Sequence, residues 1–217
     1  MLNIKRTVEV NQTSWTELKE AAEAGKLGEL LHSGDTLSIT LKDGEAVTLR
    51  VAQDQKGKLY FVFEDCLSET HNMNDRLTYK GGWSACGMRA YLNGNIFDRL
   101  PDDLQAAIKP TTIVQVIDGQ RVETSDKLFL LSYTQMCGQS KDYDKRYAEI
   151  EPEDTQLDIY TTEKSRVKEI AGNGTWWYWL RSPTPSYAYY VRYIFPSGQL
   201  GDGTAYNTRG VAPAFCI

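Results

Sequence analysis

The residues able to act as nucleophiles, bases or metal ligands are few and scattered. The four cysteines, Cys66, Cys86, Cys137 and Cys216, form no C-x-x-C pair, and the only histidines are His32 and His71. A zinc site needs clustered Cys and His, so no metal is expected. The thiols are expected to be reduced and packed as small hydrophobes. His71 follows Cys66 closely enough to suggest a thiol–imidazole pair, but a structural thiol is the expected reading. Cys216 sits in an apolar strand pattern, unlike an activated thiol. The acidic run Glu149–Asp158 could serve acid–base chemistry or calcium. It lacks the spacing of a calcium loop and reads as a solvated face. Gly198-Gln199-Leu200-Gly201-Asp202-Gly203 lacks the lysine and the strand-to-helix context of a phosphate cradle. We therefore expect no enzyme and no cofactor.

The other chemistry in the chain is recognition. Between Thr184 and Arg209 lie Tyr187, Tyr189, Tyr190, Tyr193 and Tyr206, with Phe195, and the only charges there are Arg192, Asp202 and Arg209. Tyrosines among Gly, Ser and Thr have the composition of a paratope: rigid amphipathic area beside adaptable hydrogen-bonding groups. Strand alternation puts Tyr187, Tyr189, Val191, Tyr193 and Phe195 on one face. Trp176-Trp177-Tyr178-Trp179, just upstream, reads as a core anchor.

The elements that must position this segment follow from periodicity. Residues 13–32 read as one helix, capped by Thr13 or Ser14, with Glu17 three residues after Ser14 as in a capping box. Thr36–Leu41, Ala46–Ala52 and Leu59–Glu64 alternate as strands, the first two joined by the turn Lys42-Asp43-Gly44-Glu45. Residues 83–99 read as two short helices separated at Asn93-Gly94-Asn95, and Pro101 opens another that ends before Pro110. Thr111–Ile117 and Lys127–Leu131 are strands around a turn at Asp118-Gly119. Residues 138–168 read as an exposed excursion, Thr162–Ala171 as a helix closed by Gly172, and Tyr189–Phe195 and Gly210–Ile217 as strands. A net charge of −5 with no basic run excludes a nucleic-acid partner. The longest apolar runs are too short for a membrane span. Met1–Arg6 shows no apolar signal core, which predicts cytoplasmic synthesis, with assembly into a virion or display by another route left open.

Three motifs carry a family resemblance: Trp179-Leu180-Arg181-Ser182-Pro183, then Pro196-Ser197-Gly198, then Gly210-Val211-Ala212-Pro213-Ala214. Together they resemble the ending of variable proteins of diversity-generating retroelements. Trp83–Asn93 and Thr124–Ser132 are similar to the same family, so the resemblance covers roughly 33–217. It implies an α+β, C-type-lectin-like fold related to the formylglycine-generating scaffold. Within that fold, about 179–217 would be the variable region. The N-terminal helical element, 1–32, lies outside the resemblance and is expected to serve assembly, as in a homo-oligomer. In that family asparagine codons are mutated at adenines, which can yield Tyr, Phe, Asp, Gly, Thr, Ser or Arg but never Lys, Glu, Gln, Met or Trp. Thr184, Tyr187, Tyr189, Tyr190, Tyr193, Phe195, Gly201, Asp202, Gly203, Thr204, Tyr206, Asn207, Thr208 and Arg209 all hold reachable types, and they are the implied ligand-binding residues. Gln199 is not reachable and belongs to the framework. The implied function is hypervariable recognition of a protein or glycan on a cell surface, from a phage tail or a bacterial surface. The alternatives are a fixed-specificity lectin-like module and an enzyme on the formylglycine-type scaffold.

Overall fold

The computed structural model describes residues 13–185 and 187–217. The part of the expected N-terminal element in residues 1–12 lies outside them. Helix α1 (Trp15–Glu23) opens with the expected capping box, Ser14 and Glu17 each satisfying the other's backbone N–H. The expected single helix is two: Gly25 takes φ +69°, ends α1, and leaves only the turn α2 (Leu27–Leu30). Trp15 packs edge-on against Phe61 and Phe215, so α1 shares the main core.

Strands β1 (Thr36–Thr40), β2 (Ala46–Gln53) and β3 (Leu59–Phe63) form the expected antiparallel meander. Gly44, at φ +92°, makes the first turn. The short β4 (His71–Asn72) follows. A 3₁₀ turn at Gly82–Ala85 leads into α3 (Gly87–Tyr91) and α4 (Phe97–Arg99). The expected break between them is a π-helical turn, Leu92–Ile96, that keeps the helix continuous. Asn93 explains it. Its amide donates to the carbonyls of Arg89 and Leu128 and accepts the N–H groups of Lys127 and Leu128, tying the bulge to a distant loop.

Helix α5 (Asp102–Ala107) is followed by the hairpin β5 (Thr111–Ile117) and β6 (Gln120–Asp126), turning at Asp118-Gly119. The partner of β5 is thus Gln120–Asp126 and not Lys127–Leu131. Of the latter, only β7 (Phe129–Leu130) is a strand, and it pairs elsewhere. Helices α6 (Tyr133–Cys137) and α7 (Tyr147–Ile150) come next. In place of the expected helix at 162–171 stand a 3₁₀ turn, Lys164–Arg166, and a hairpin of β8 (Glu169–Ile170) with β9 (Gly174–Thr175). The buried Lys168 ammonium donates to the carbonyls of Phe63 and Glu64, which draws the chain out of a helical path.

The chain ends in β10 (Tyr178–Thr184), β11 (Tyr187–Ile194), β12 (Leu200–Thr204), β13 (Thr208–Arg209) and β14 (Pro213–Phe215). Strand β14 lies between β3 and β7, giving the sheet order β1-β2-β3-β14-β7, while β10-β11-β12 is a separate sheet and β13 pairs with β4. Phe215 stacks on Phe61 at 5.2 Å between ring centroids, at the centre of one continuous apolar core. Tyr178 and Trp179 are buried in it as expected, and so are Val211 and Phe215, whereas Trp176 and Trp177 pack only partly.

Candidate ligand-binding face

Strand β10 carries the Trp-Leu-Arg-Ser-Pro motif, and its side chains explain why the sheet is rigid. Arg181 is fully buried. It donates to Leu130 O (2.7 Å) and Gln135 Oε1 (2.8 Å) and forms an ion pair with Asp154. Ser182 accepts the N–H of Tyr133 and donates to Glu151, whose other oxygen accepts the N–H and hydroxyl of Thr134. The acidic run is therefore not a solvated face throughout: Glu151 and Gln156 are buried, as are Tyr147 and Leu157. The expected exposed excursion at 138–168 is thus exposed only in part: Lys141, Asp142, Glu149, Glu153 and Asp158 stay exposed, while Tyr147, Glu151 and Asp154 are bonded to β10. Burial, with the neighbouring Asp154 charge, pushes the Glu151 carboxyl up, against the pull of Arg181 and its hydroxyl and N–H donors.

Tyr147 ties this base to the next strand. Its hydroxyl donates to Pro183 O (2.8 Å) and accepts from Arg192 Nε (2.7 Å). Arg192, which lies over the rings of Tyr133 and Tyr147, also pairs with Asp202 at 3.5 Å. Beyond this point the anchoring changes in kind. The outer half of β11 is held through its main chain: Tyr79 N–H donates to Ala188 O, and Ala205 N–H to Tyr189 O.

On that frame Tyr187, Tyr189 and Tyr206 stand 51%, 40% and 59% exposed. The rings of Tyr187, Tyr189 and the half-buried Tyr190 form one cluster, with centroids 4.9–6.1 Å apart. Asn207 and Thr208 are exposed beside Tyr206, and Phe195, Gly201, Asp202, Thr204 and Arg209 are half-buried. Thr184, Tyr193 and Gly203 are buried. Tyr193 faces inward, edge-on to Trp179 and Phe195, with the Arg209 guanidinium 3.7 Å from its ring centroid. The two glycines make room for this packing: a Cβ at Gly201 would lie 2.7 Å from both Tyr193 and Phe195, and one at Gly203 2.8 Å from Arg209.

Beside the tyrosines runs a cleft of about 510 Å³, lined by Lys80, Ile117, Ile150, Pro183, Thr184 and Tyr187 among others. Lys80, Ile117 and Ile150 come from three separate segments, and no motif in the chain signals them. A second cleft of about 560 Å³, around Gln53, Gln139 and Arg166, contains none of the candidate residues.

The residues weighed for catalysis are differently placed. All four cysteines are free and buried. Burial raises the thiols of Cys66 and Cys86 to about 12 and Cys137 to about 11, and raises Cys216 as well. His71 stacks on Tyr91 at 3.9 Å. Among the described residues no group of three or more His, Cys, Asp or Glu is placed to hold a metal ion, and no helix is long and apolar enough to cross a membrane.

Residues 57–217 match a family profile described as a domain of unknown function, DUF6273. The chain belongs to the DUF6273 family. No curated protein and no solved structure matches it. The DUF6273 stretch begins in the β2–β3 turn and contains every candidate ligand-binding residue.

Proposed function

We propose that this chain is a hypervariable ligand-binding protein on a C-type-lectin-like scaffold, diversified by adenine mutagenesis and carried on a phage tail or bacterial surface. Its ligand is a protein or glycan of a cell surface. The observation that carries the reading is the tyrosine cluster. Five large hydrophobic side chains are exposed among the described residues, and three of them, Tyr187, Tyr189 and Tyr206, belong to the segment whose composition marks it for recognition. The frame supports the same reading. The backbone of β11 is held where its side chains are free, so side chains can be exchanged there without loosening the strand.

The raised cysteine thiols speak against nucleophilic work on a formylglycine-type scaffold, because a thiol needs to ionise to attack. Two measurements test the proposal. A near-identical, asparagine-rich repeat beside a reverse transcriptase gene separates diversified from fixed specificity. Binding of the labelled chain to whole bacterial cells, compared with a Tyr187→Ser/Tyr189→Ser/Tyr206→Ser variant, tests the face: binding is expected to fall at least tenfold, since truncating such anchors typically costs ~2 kcal/mol or more. Unchanged binding by a folded triple variant would end the proposal.

A further inference from the structure

Seven arginines are buried or half-buried among the described residues: Arg50, Arg89, Arg99, Arg166, Arg181, Arg192 and Arg209. Five of them have a carboxylate within ion-pair distance. Arg166 has none, but it donates to Thr162 O and to the Cys137 sulfur. Arg209 stands apart. It makes no side-chain hydrogen bond or ion pair, and its Nε is sealed from solvent without a partner. A half-buried guanidinium in that state is costly unless something else completes it.

What surrounds Arg209 defines what can complete it. Its guanidinium carbon lies 3.7 Å from the Tyr193 ring centroid and 5.0 Å from that of Trp179. The aromatic faces therefore cover the flat side of the cation, as guanidinium groups favour. Gly203 leaves Nη2 its space. With the flat side covered and Nε closed, the open edge is the one formed by Nη1 and Nη2, which matches the two oxygens of a carboxylate.

We propose that Arg209, on its Tyr193–Trp179 platform, is the subsite of this face for a carboxylate, supplied by an Asp or Glu side chain of a protein ligand. The inference rests on the ligand-binding reading above. A protein source is favoured because the neighbouring Tyr187, Tyr189 and Tyr206 offer broad amphipathic area of the paratope kind. The chain's net charge of −5 gives no long-range attraction for an acidic ligand, so the recognition is local to this one cation.

The test uses the full chain and N-acetyl-glutamate methylamide as probe, followed through the Arg209 side-chain N–H resonances. These are expected to shift saturably at millimolar probe, and not with the glutamine counterpart. Arg209→Lys keeps the charge but loses the fork and is expected to weaken the effect about tenfold; Arg209→Gln is expected to abolish it. Far-UV circular dichroism verifies that both variants fold. No saturable shift with the probe overturns the subsite, and tighter binding of glucuronate than of the glutamate probe overturns the protein source. The triple tyrosine variant separates this proposal from the reading beneath it. It should bind the glutamate probe normally while losing cell binding. Cell binding that survives Arg209→Gln but not the tyrosine substitutions sinks the subsite alone; cell binding that survives both sinks the ligand-binding reading.

Discussion

The inner and outer halves of the β10–β11–β12 sheet are held by different means. At the inner half, specific side chains add their contacts to main-chain bonds such as Arg181 N–H to Leu131 O: Arg181 to Asp154 and Gln135, Ser182 to Glu151, Tyr147 to Pro183 and Arg192. At the outer half the fixing contacts are main-chain bonds, from Tyr79 to Ala188 and from Ala205 to Tyr189. The first kind specifies one arrangement and tolerates no exchange. The second leaves the side chains of Tyr187 and Tyr189 free of any structural duty. A surface can vary only where the backbone beneath it does not depend on what varies.

Five substitutions put this contrast under strain. Arg181→Met leaves the buried Glu151 and the half-buried Asp154 without their neighbouring cation and is expected to destabilise the fold by about 3–5 kcal/mol, read from urea unfolding. Gly198→Ala follows. Gly198 takes φ +85°, and a Cβ there would lie 1.8 Å from the Glu163 carbonyl oxygen, so a loss of about 2–3 kcal/mol is expected in the same assay.

The third concerns pH. Glu151 rises from the usual 4.5 to about 7, chiefly through burial. Over that interval the folded chain keeps a proton that the unfolded chain has released, so this group makes stability fall as pH rises from 4.5 to 7, and contributes no slope above. Glu151→Gln should remove that part of the slope in a series of urea midpoints against pH; an unaltered slope would show that Glu151 ionises normally. The smallest effect is expected at the outer half: Tyr187→Ser and Tyr189→Ser should each stay within about 0.5 kcal/mol of the parent. If either cost as much as Arg181→Met, the two halves would not differ.

Much of the scaffold was legible without coordinates. The Ser14–Glu17 box, the alternation of β1 to β3 and the turn at Gly44 are local devices, and local devices can be read from neighbouring residues. The misreadings share a cause. Glu151 looks solvated beside its acidic neighbours because Ser182, its partner, lies 31 residues on. The segment 162–171 reads as helical because nothing nearby reveals that the Lys168 ammonium is held by Phe63 and Glu64. Asn93 looks like a helix breaker until Leu128 is seen to occupy its amide. Of the candidate face, all fourteen residues read alike from the sequence; Tyr187, Tyr189 and Tyr206 stand exposed, but Thr184, Tyr193 and Gly203 turn inward. Alternation could not decide between these outcomes, since it names the residues sharing a face and not whether that face is covered.

The sparse charges and abundant tyrosines from Thr184 to Arg209, on which the proposed recognition role rests, are plain in the sequence without any coordinates. Only the tertiary structure decided which of them meet solvent. It seated Tyr193 under Arg209, packed Gly201 against the rings of Tyr193 and Phe195 and Gly203 against Arg209, and left the Arg209 guanidinium without a side-chain hydrogen bond or ion pair. The physical reason is that composition and periodicity are properties of a segment, whereas burial and charge pairing depend on contacts with residues far away in the chain.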